Sequence, residues 1–210
     1  MQMNGRTIHL VDDDEAIRRS ASLVLRTSGY LVKTYELGTH LLEAEALAPG
    51  CILMDVRMPE MDGLQVQTAL KERGVSLPVI VMTGHGDVNL AVRAMKAGAI
   101  DFLEKPFEKV DLIAAIEEGF DRIETAGRRQ AQKEEARARL GVLTPRELEV
   151  LHGLVEGLPN KTIAYNLGIS PRTVEVHRAN LMAKLSVPSL SDALKLAFAA
   201  GMAGEQVVAS

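Results

Sequence analysis

The sequence predicts two folded parts in series: an α/β domain built on a five-stranded, doubly wound parallel sheet, then an all-α domain of four helices with a helix-turn-helix outline. Three observations predict this. The first half alternates short β-rich apolar runs with stretches of helical period, while the second half shows helical period alone, punctuated by capping and stop residues. A length of 210 residues suits two modest domains of roughly 100–150 residues each. The expected strands are 7–11, 31–35, 51–55, 79–83 and 101–104, each bounded by Gly, Pro or acidic residues. Helices are expected at about 14–28, 36–47, 62–73 and 87–97, with another from about 109. Parallel neighbours require crossover connections, so this alternation wraps helices over both faces of one sheet.

From about Glu117 the pattern becomes charge-dense, with Arg122, Glu124, Arg128, Arg129, Lys133, Glu134, Glu135, Arg137 and Arg139. We read it as a solvated helical linker supported by i,i+4 pairs, which divides the chain into 1–124, linker 125–140 and 141–210. Thr144-Pro145-Arg146-Glu147 opens the second domain with an N-cap threonine, proline at the first helical position and a capping-box glutamate. A helix over 160–167 begins at Asn160 and stops at Gly168, and Ser170 then caps a longer helix over 171–185. Helix, three-residue turn and longer helix make the helix-turn-helix outline. A last helix, about 189–201, follows Pro188.

An apolar share of 47% with 25% charged residues is that of a soluble globular protein. The chain has no long apolar span, and its polar start does not resemble a cleavable signal, so a cytoplasmic protein without a membrane partner is expected. The single cysteine, Cys51, lies in an apolar run and reads as a buried small hydrophobe. Residues 1–120 carry 12 basic against 18 acidic side chains, whereas 141–210 carry six of each. The acidic front half disfavours nucleic acid as its partner; the rear half is neutral apart from a basic stretch with Lys161, Arg172, Arg178 and Lys184 against Glu175.

Ligands of a doubly wound sheet bind beyond the carboxyl ends of its strands. The first strand ends in Asp12-Asp13-Asp14, the third in Asp55, the fourth in Thr83-Gly84, and Lys105-Pro106 follows the fifth. Crowded carboxylates repel unless a cation joins them, and Mg²⁺ suits such an oxygen-rich set. An ionised Asp as nucleophile, Mg²⁺ to offset phosphoryl charge, and Lys and Thr to bind the remaining oxygens are the parts of a phosphoryl acceptor. His85 and the scattered histidines show no zinc spacing.

Val11-Asp12-Asp13, Leu53-Met54-Asp55-Val56-Arg57-Met58-Pro59 with Gly63, Met82-Thr83-Gly84 and Phe102-Leu103-Glu104-Lys105-Pro106-Phe107 resemble the receiver domains of two-component response regulators over about residues 4–124. The resemblance implies that Asp55 is the phosphoacceptor, that Asp12, Asp13, Asp55 and the Arg57 carbonyl hold Mg²⁺, and that Thr83 and Lys105 bind the phosphoryl group. It also implies a cis peptide before Pro106, a switch of Thr83 and Phe102, and a dimer face for which Val92, Lys96 and Asp101 are candidates. Phe102 has the alternative of a plain core aromatic. Asp14 is expected to start the first helix.

On the helix over 171–185, Val174, Leu181 and Leu185 share an inward face, and Val176 points the other way. An outward apolar residue can meet thymine methyls, Glu175 can accept from cytosine, and Arg172, Arg178 and Lys184 can meet phosphate or guanine. A simple amphipathic helix in a bundle shows the same pattern. The segments 143–147, 160–164 and 169–178 are similar to the LuxR/NarL-type helix-turn-helix over about 141–205. This resemblance implies a recognition helix at 171–185, with Lys161, Thr173, His177 and Lys184 near the DNA backbone. As a whole, the chain resembles regulators of nitrogen fixation. That implies a sensor histidine kinase, which responds to oxygen, as partner; homodimers on phosphorylation; double-stranded promoter DNA; RNA polymerase; and activation of nitrogen-fixation or microaerobic genes. The rivals are a phosphate-independent DNA-binding regulator with a degenerate receiver, and a Mg²⁺-dependent aspartyl-phosphate phosphatase. The phosphatases in question carry an acid two residues after the nucleophile, where this chain has Arg57. No enzyme activity in its own right is expected, beyond accepting and losing the phosphoryl group.

Overall fold

The computed structural model describes residues 6–84 and 88–202; His85 lies outside them. The element order is β1 (Thr7–Val11), α1 (Glu15–Thr27), β2 (Leu31–Tyr35), α2 (Gly38–Glu43), β3 (Gly50–Asp55), α3 (Gly63–Glu72), β4 (Val79–Thr83), α4 (Val88–Ala97), β5 (Asp101–Glu104), α5 (Lys109–Leu140), α6 (Pro145–Val155), α7 (Asn160–Leu167), α8 (Pro171–Leu185) and α9 (Leu190–Ala199). The chain divides into two compact units, Met1–Thr125 and Ala126–Ser210, with α5 contributing residues to each.

In the first unit all four strand pairs are parallel, in the order β2-β1-β3-β4-β5. Side chains alternate across a strand, and here both faces are covered. Ile8, Leu10, Cys51, Leu53, Ile80 and Met82 pack with Leu25 of α1 and Leu112, Ile116 and Phe120 of α5. On the other face, Val11, Ile52, Met54 and Val81 pack with Leu41 of α2, Leu64, Val66 and Leu70 of α3, and Ala94 of α4. Each fully buried aliphatic side chain contributes about 1.5–3 kcal/mol, which explains the near-continuous apolar strands of a sheet covered on both sides. Burial pushes the Cys51 thiol up to about 12.

The helix expected over 36–47 is only Gly38–Glu43. Its apolar pattern continues, but Ala44 turns to extended backbone, and Pro49 disfavours helix at the residue before it. The ring of buried His9 bonds the Ala48 carbonyl through Nε2 at 2.9 Å, so a tertiary contact holds this segment open. Where the sequence suggests a solvated linker, α5 is helical, but one side of it is buried in the second unit at Ala136 and Leu140. Arg137 donates to the Ala200 carbonyl at 3.1 Å and Arg139 to the Leu185 carbonyl at 2.9 Å. Both carbonyls lie at helix C-termini, where cations are favoured.

In the second unit, Val150, Leu151, Ile163, Val174, Leu181, Leu185, Ala193 and Ala197 form the core. Thr144 and Glu147 make the capping box of α6. Gly168, at φ 65°, ends α7 in a left-handed conformation, and Ser170 caps α8 by accepting from the Thr173 amide.

Candidate functional site

At the carboxyl edge of the sheet, β1 runs into Asp12, β3 ends at Asp55, β4 ends at Thr83, and Lys105 follows β5. Asp12, Asp55 and Thr83 are buried. The Lys105 ammonium lies 2.7 Å from an oxygen of Asp12 and 3.0 Å from one of Asp55. Asp12 also accepts from the Asp14 amide at 3.0 Å, while Asp14 caps α1 by accepting from the Ala16 amide. Oxygens of Asp12, Asp13 and Asp55 lie within 4.8 Å of one another. The loop after β3 is folded tightly: the Gly63 amide donates to the Val56 carbonyl at 2.8 Å, and Asp62 caps α3. A Cβ at Gly63 would lie 2.6 Å from the Asp55 carbonyl oxygen, so glycine is required for this approach. The Lys105–Pro106 peptide is cis.

Burial raises the Asp55 carboxyl above the ordinary range, outweighing Lys105 and the Arg57 amide that donates to it. Burial pulls the Lys105 ammonium down, but its bonds to Asp12 and Asp55 reverse the direction and hold it above the usual lysine value. One ammonium thus bridges two of the three carboxylates, and exposed Asp13 adds a further negative charge. A hard divalent cation fits the oxygen donors and the residual negative charge, and would favour ionised Asp55.

Phe102 is not a core aromatic. The residue is 46% exposed on β5, in register with Val81. Val92 and Lys96 are exposed on α4, and the Asp101 carboxylate accepts from the Phe102 amide. Half-exposed Met95 lies between Val92 and Lys96 and was not singled out from the sequence.

In the second unit Val176 is exposed on α8 while Val174, Leu181 and Leu185 are buried, as their spacing predicts. Lys161, Arg172 and Glu175 are also exposed, and His177 is half-buried. Arg172 pairs with Glu175 at 3.1 Å, and the Thr173 hydroxyl meets that of Ser170 at 2.8 Å. Two further cations have partners within the domain. Arg178 donates to Asn160 at 2.9 Å, bridging α8 and α7. Lys184 pairs with buried Glu147 at 2.8 Å, bridging α8 and α6. Lys184 therefore reaches DNA only by leaving a carboxylate already held by the amide and hydroxyl of Thr144.

The family profile "Response regulator receiver domain" matches residues 8–117, and "Bacterial regulatory proteins, luxR family" matches 141–197. The chain belongs to the response regulators. This response regulator carries a LuxR-type DNA-binding domain and is similar throughout to proteins of the same two-part build. It is 49% identical over 197 residues to the transcriptional regulatory protein FixJ of Azorhizobium caulinodans, covering 93% of each chain. The FixJ of Rhizobium meliloti is 46% identical, with 95% of this chain and 98% of that one covered. Crystal structures of full-length FixJ from B. japonicum match with a TM-score of 0.60 at 45% identity, covering 94% of this chain and 98% of that one. A sensor kinase as partner and DNA binding through the second domain follow from this membership. Among the described residues, no helix is long and apolar enough to cross a membrane.

Proposed function

We propose that this response regulator is a phosphorylation-gated transcription factor whose switch is the Asp12, Asp55 and Lys105 cluster. The supporting observation is that one lysine bridges two buried carboxylates at the end of the sheet. An Asp55 oxygen attacks the phosphorus of a phosphohistidine on the partner kinase. The O–P bond forms, the P–N bond breaks, and the departing imidazole keeps the electron pair and takes up a proton. Lys105 turns from the Asp55 carboxylate to a phosphoryl oxygen, and the Thr83 hydroxyl donates to another. When bound by Asp12, Asp13, Asp55 and the Arg57 carbonyl, Mg²⁺ supplies neutralisation of the phosphoryl charge.

The bond from Thr83 draws the end of β4 toward the site and opens room for Phe102 to turn inward from its exposed position. The exposed face of Val92, Met95, Lys96 and Asp101 is then remodelled and pairs with a second copy. A dimer presents two α8 helices to paired half-sites in promoter DNA. Val176 and Glu175 face the bases, Lys161, Arg172, Thr173 and His177 the backbone, and Arg178 and Lys184 hold α8 against its neighbours. Contact with RNA polymerase then activates transcription, and the resemblance to FixJ proteins supports nitrogen-fixation or microaerobic genes as targets.

The test uses acetyl phosphate or beryllofluoride with Mg²⁺. Treatment raises the dimer fraction in sedimentation and the affinity for promoter DNA, and Asp55→Asn abolishes both responses. Equal affinity with and without treatment would overturn the switch.

A further inference from the structure

The connection between β1 and α1 is braced by a residue the site has not yet used. Arg18, in the first turn of α1, sends guanidinium Nη1 back to the carbonyl oxygens of Asp12 at 2.7 Å and Asp13 at 2.9 Å. Successive carbonyls along an extended strand point in opposite directions. Their convergence on one donor therefore fixes a particular bend immediately after β1. The Asp12 carboxylate is secured separately, by the Asp14 amide on one oxygen and Lys105 on the other. Asp13 is exposed, so its direction depends on the backbone that carries it, and that backbone is what Arg18 grips. Arg18 is half-buried and takes up no carboxylate oxygen in doing so. Neighbouring Arg19 makes no such contact: it is exposed and paired with Glu15 at 2.5 Å.

We infer that Arg18 is a positioning residue of the phosphoryl-acceptor site, holding the Asp12–Asp13 backbone so that both carboxylates face Asp55. The inference rests on the reading of Asp12, Asp13 and Asp55 as a divalent-cation site. Partners that orient metal ligands typically change metal affinity by about 10–100-fold when removed, and a clamp on the two ligand-bearing peptides belongs to that class.

Mn²⁺ serves as the probe on the full chain, followed by water-proton relaxation. Arg18→Ala raises the Mn²⁺ Kd by about tenfold or more, Arg18→Lys recovers part of the loss, and Arg19→Ala leaves the Kd unchanged. A second measurement separates positioning from general loosening. With acetyl phosphate as donor, Arg18→Ala shifts the half-saturating Mg²⁺ concentration upward by a similar factor, while the labelling rate at saturating Mg²⁺ returns to that of the parent chain. An unchanged Mn²⁺ Kd in Arg18→Ala, or a lowered plateau without a shift in half-saturation, overturns the inference and leaves the site reading standing. If the parent chain takes up no Mn²⁺, or Asp13→Asn binds it equally well, the site reading fails and the inference falls with it. Should Arg18→Ala not fold, Arg18→Gln, which keeps a long polar side chain without the charge, is compared with Arg18→Lys and the parent by the same criteria.

Discussion

Replacing Lys184 with methionine, which keeps the stem and removes the ammonium, separates two roles for this side chain. Its partner Glu147 is buried, while the Lys184 side chain is 40% exposed. Breaking a fully buried pair costs about 3–5 kcal/mol and an exposed one about 0–1. Here one partner keeps water, and the other keeps two bonds from Thr144 at 2.8 and 2.9 Å. We therefore expect Lys184→Met to cost the second domain about 1–2 kcal/mol, which lowers its melting temperature by roughly 5–15 °C for a unit of this size. Thermal unfolding of the full chain, followed by circular dichroism, reads the loss. Burial pushes the Glu147 carboxyl up, but Lys184 and Thr144 more than offset this and leave it below its ordinary value. A carboxyl lowered by folding contributes stability that is complete above its unfolded value and fades as pH drops through the folded one. The gap between parent and variant should be full at pH 7 and narrow once pH falls below the ordinary glutamate value of about 4.3. On DNA, a lost phosphate contact would reduce the slope of log affinity against log salt by about 0.9. A lysine engaged with Glu147 leaves that slope unchanged. A slope reduced by about one, with no change in melting temperature, would refute the bracing role.

Gly63→Ala places a methyl 2.6 Å from the Asp55 carbonyl oxygen and 3.0 Å from the Val56 Cα; the strain should cost the receiver about 1–3 kcal/mol in urea unfolding, with slower acetyl-phosphate labelling of Asp55. Val176→Lys should change which operator sequences are preferred, since an exposed apolar residue is lost from the outer face of α8; an unchanged preference in a binding-site selection means α8 does not read bases through this position. Tyr30→Phe removes the hydroxyl that donates to Glu117 and should cost about 1 kcal/mol. The Glu117 carboxyl, held low first by that hydroxyl and then by Arg6 at 2.7 Å, should rise toward its ordinary value, as a carboxyl-carbon NMR titration would show.

The inner strands β1, β3 and β4 were legible because a parallel sheet covered on both faces reads as nearly unbroken apolar runs, and Ile52, Met54, Ile80 and Val81 fit that description. The helix starts at Thr144 and Ser170 were legible because a cap is a local event. So was the grouping of Asp12, Asp55, Thr83 and Lys105, since strand ends in this topology meet at one edge. The end of α2 was not legible, because the contact that opens it joins His9 to Ala48 across 39 residues. Separation in sequence likewise hid the pairing of Lys184 with Glu147, 37 residues apart, and of Arg178 with Asn160, 18 apart. From composition these were free cations suited to DNA. Arg18 escaped notice for another reason: its partners are backbone carbonyls, which every residue possesses.

The sole cysteine of the chain sits on the central strand β3 with no exposed surface, and its thiol stays protonated far above neutral pH. Only the thiolate reacts readily, so alkylating reagents and cellular oxidants meet Cys51 only when the receiver core opens. The rate at which a maleimide labels it is then a clock for that opening, and a comparison of the clock with and without a phosphoryl analogue tests whether the analogue stabilises the sheet.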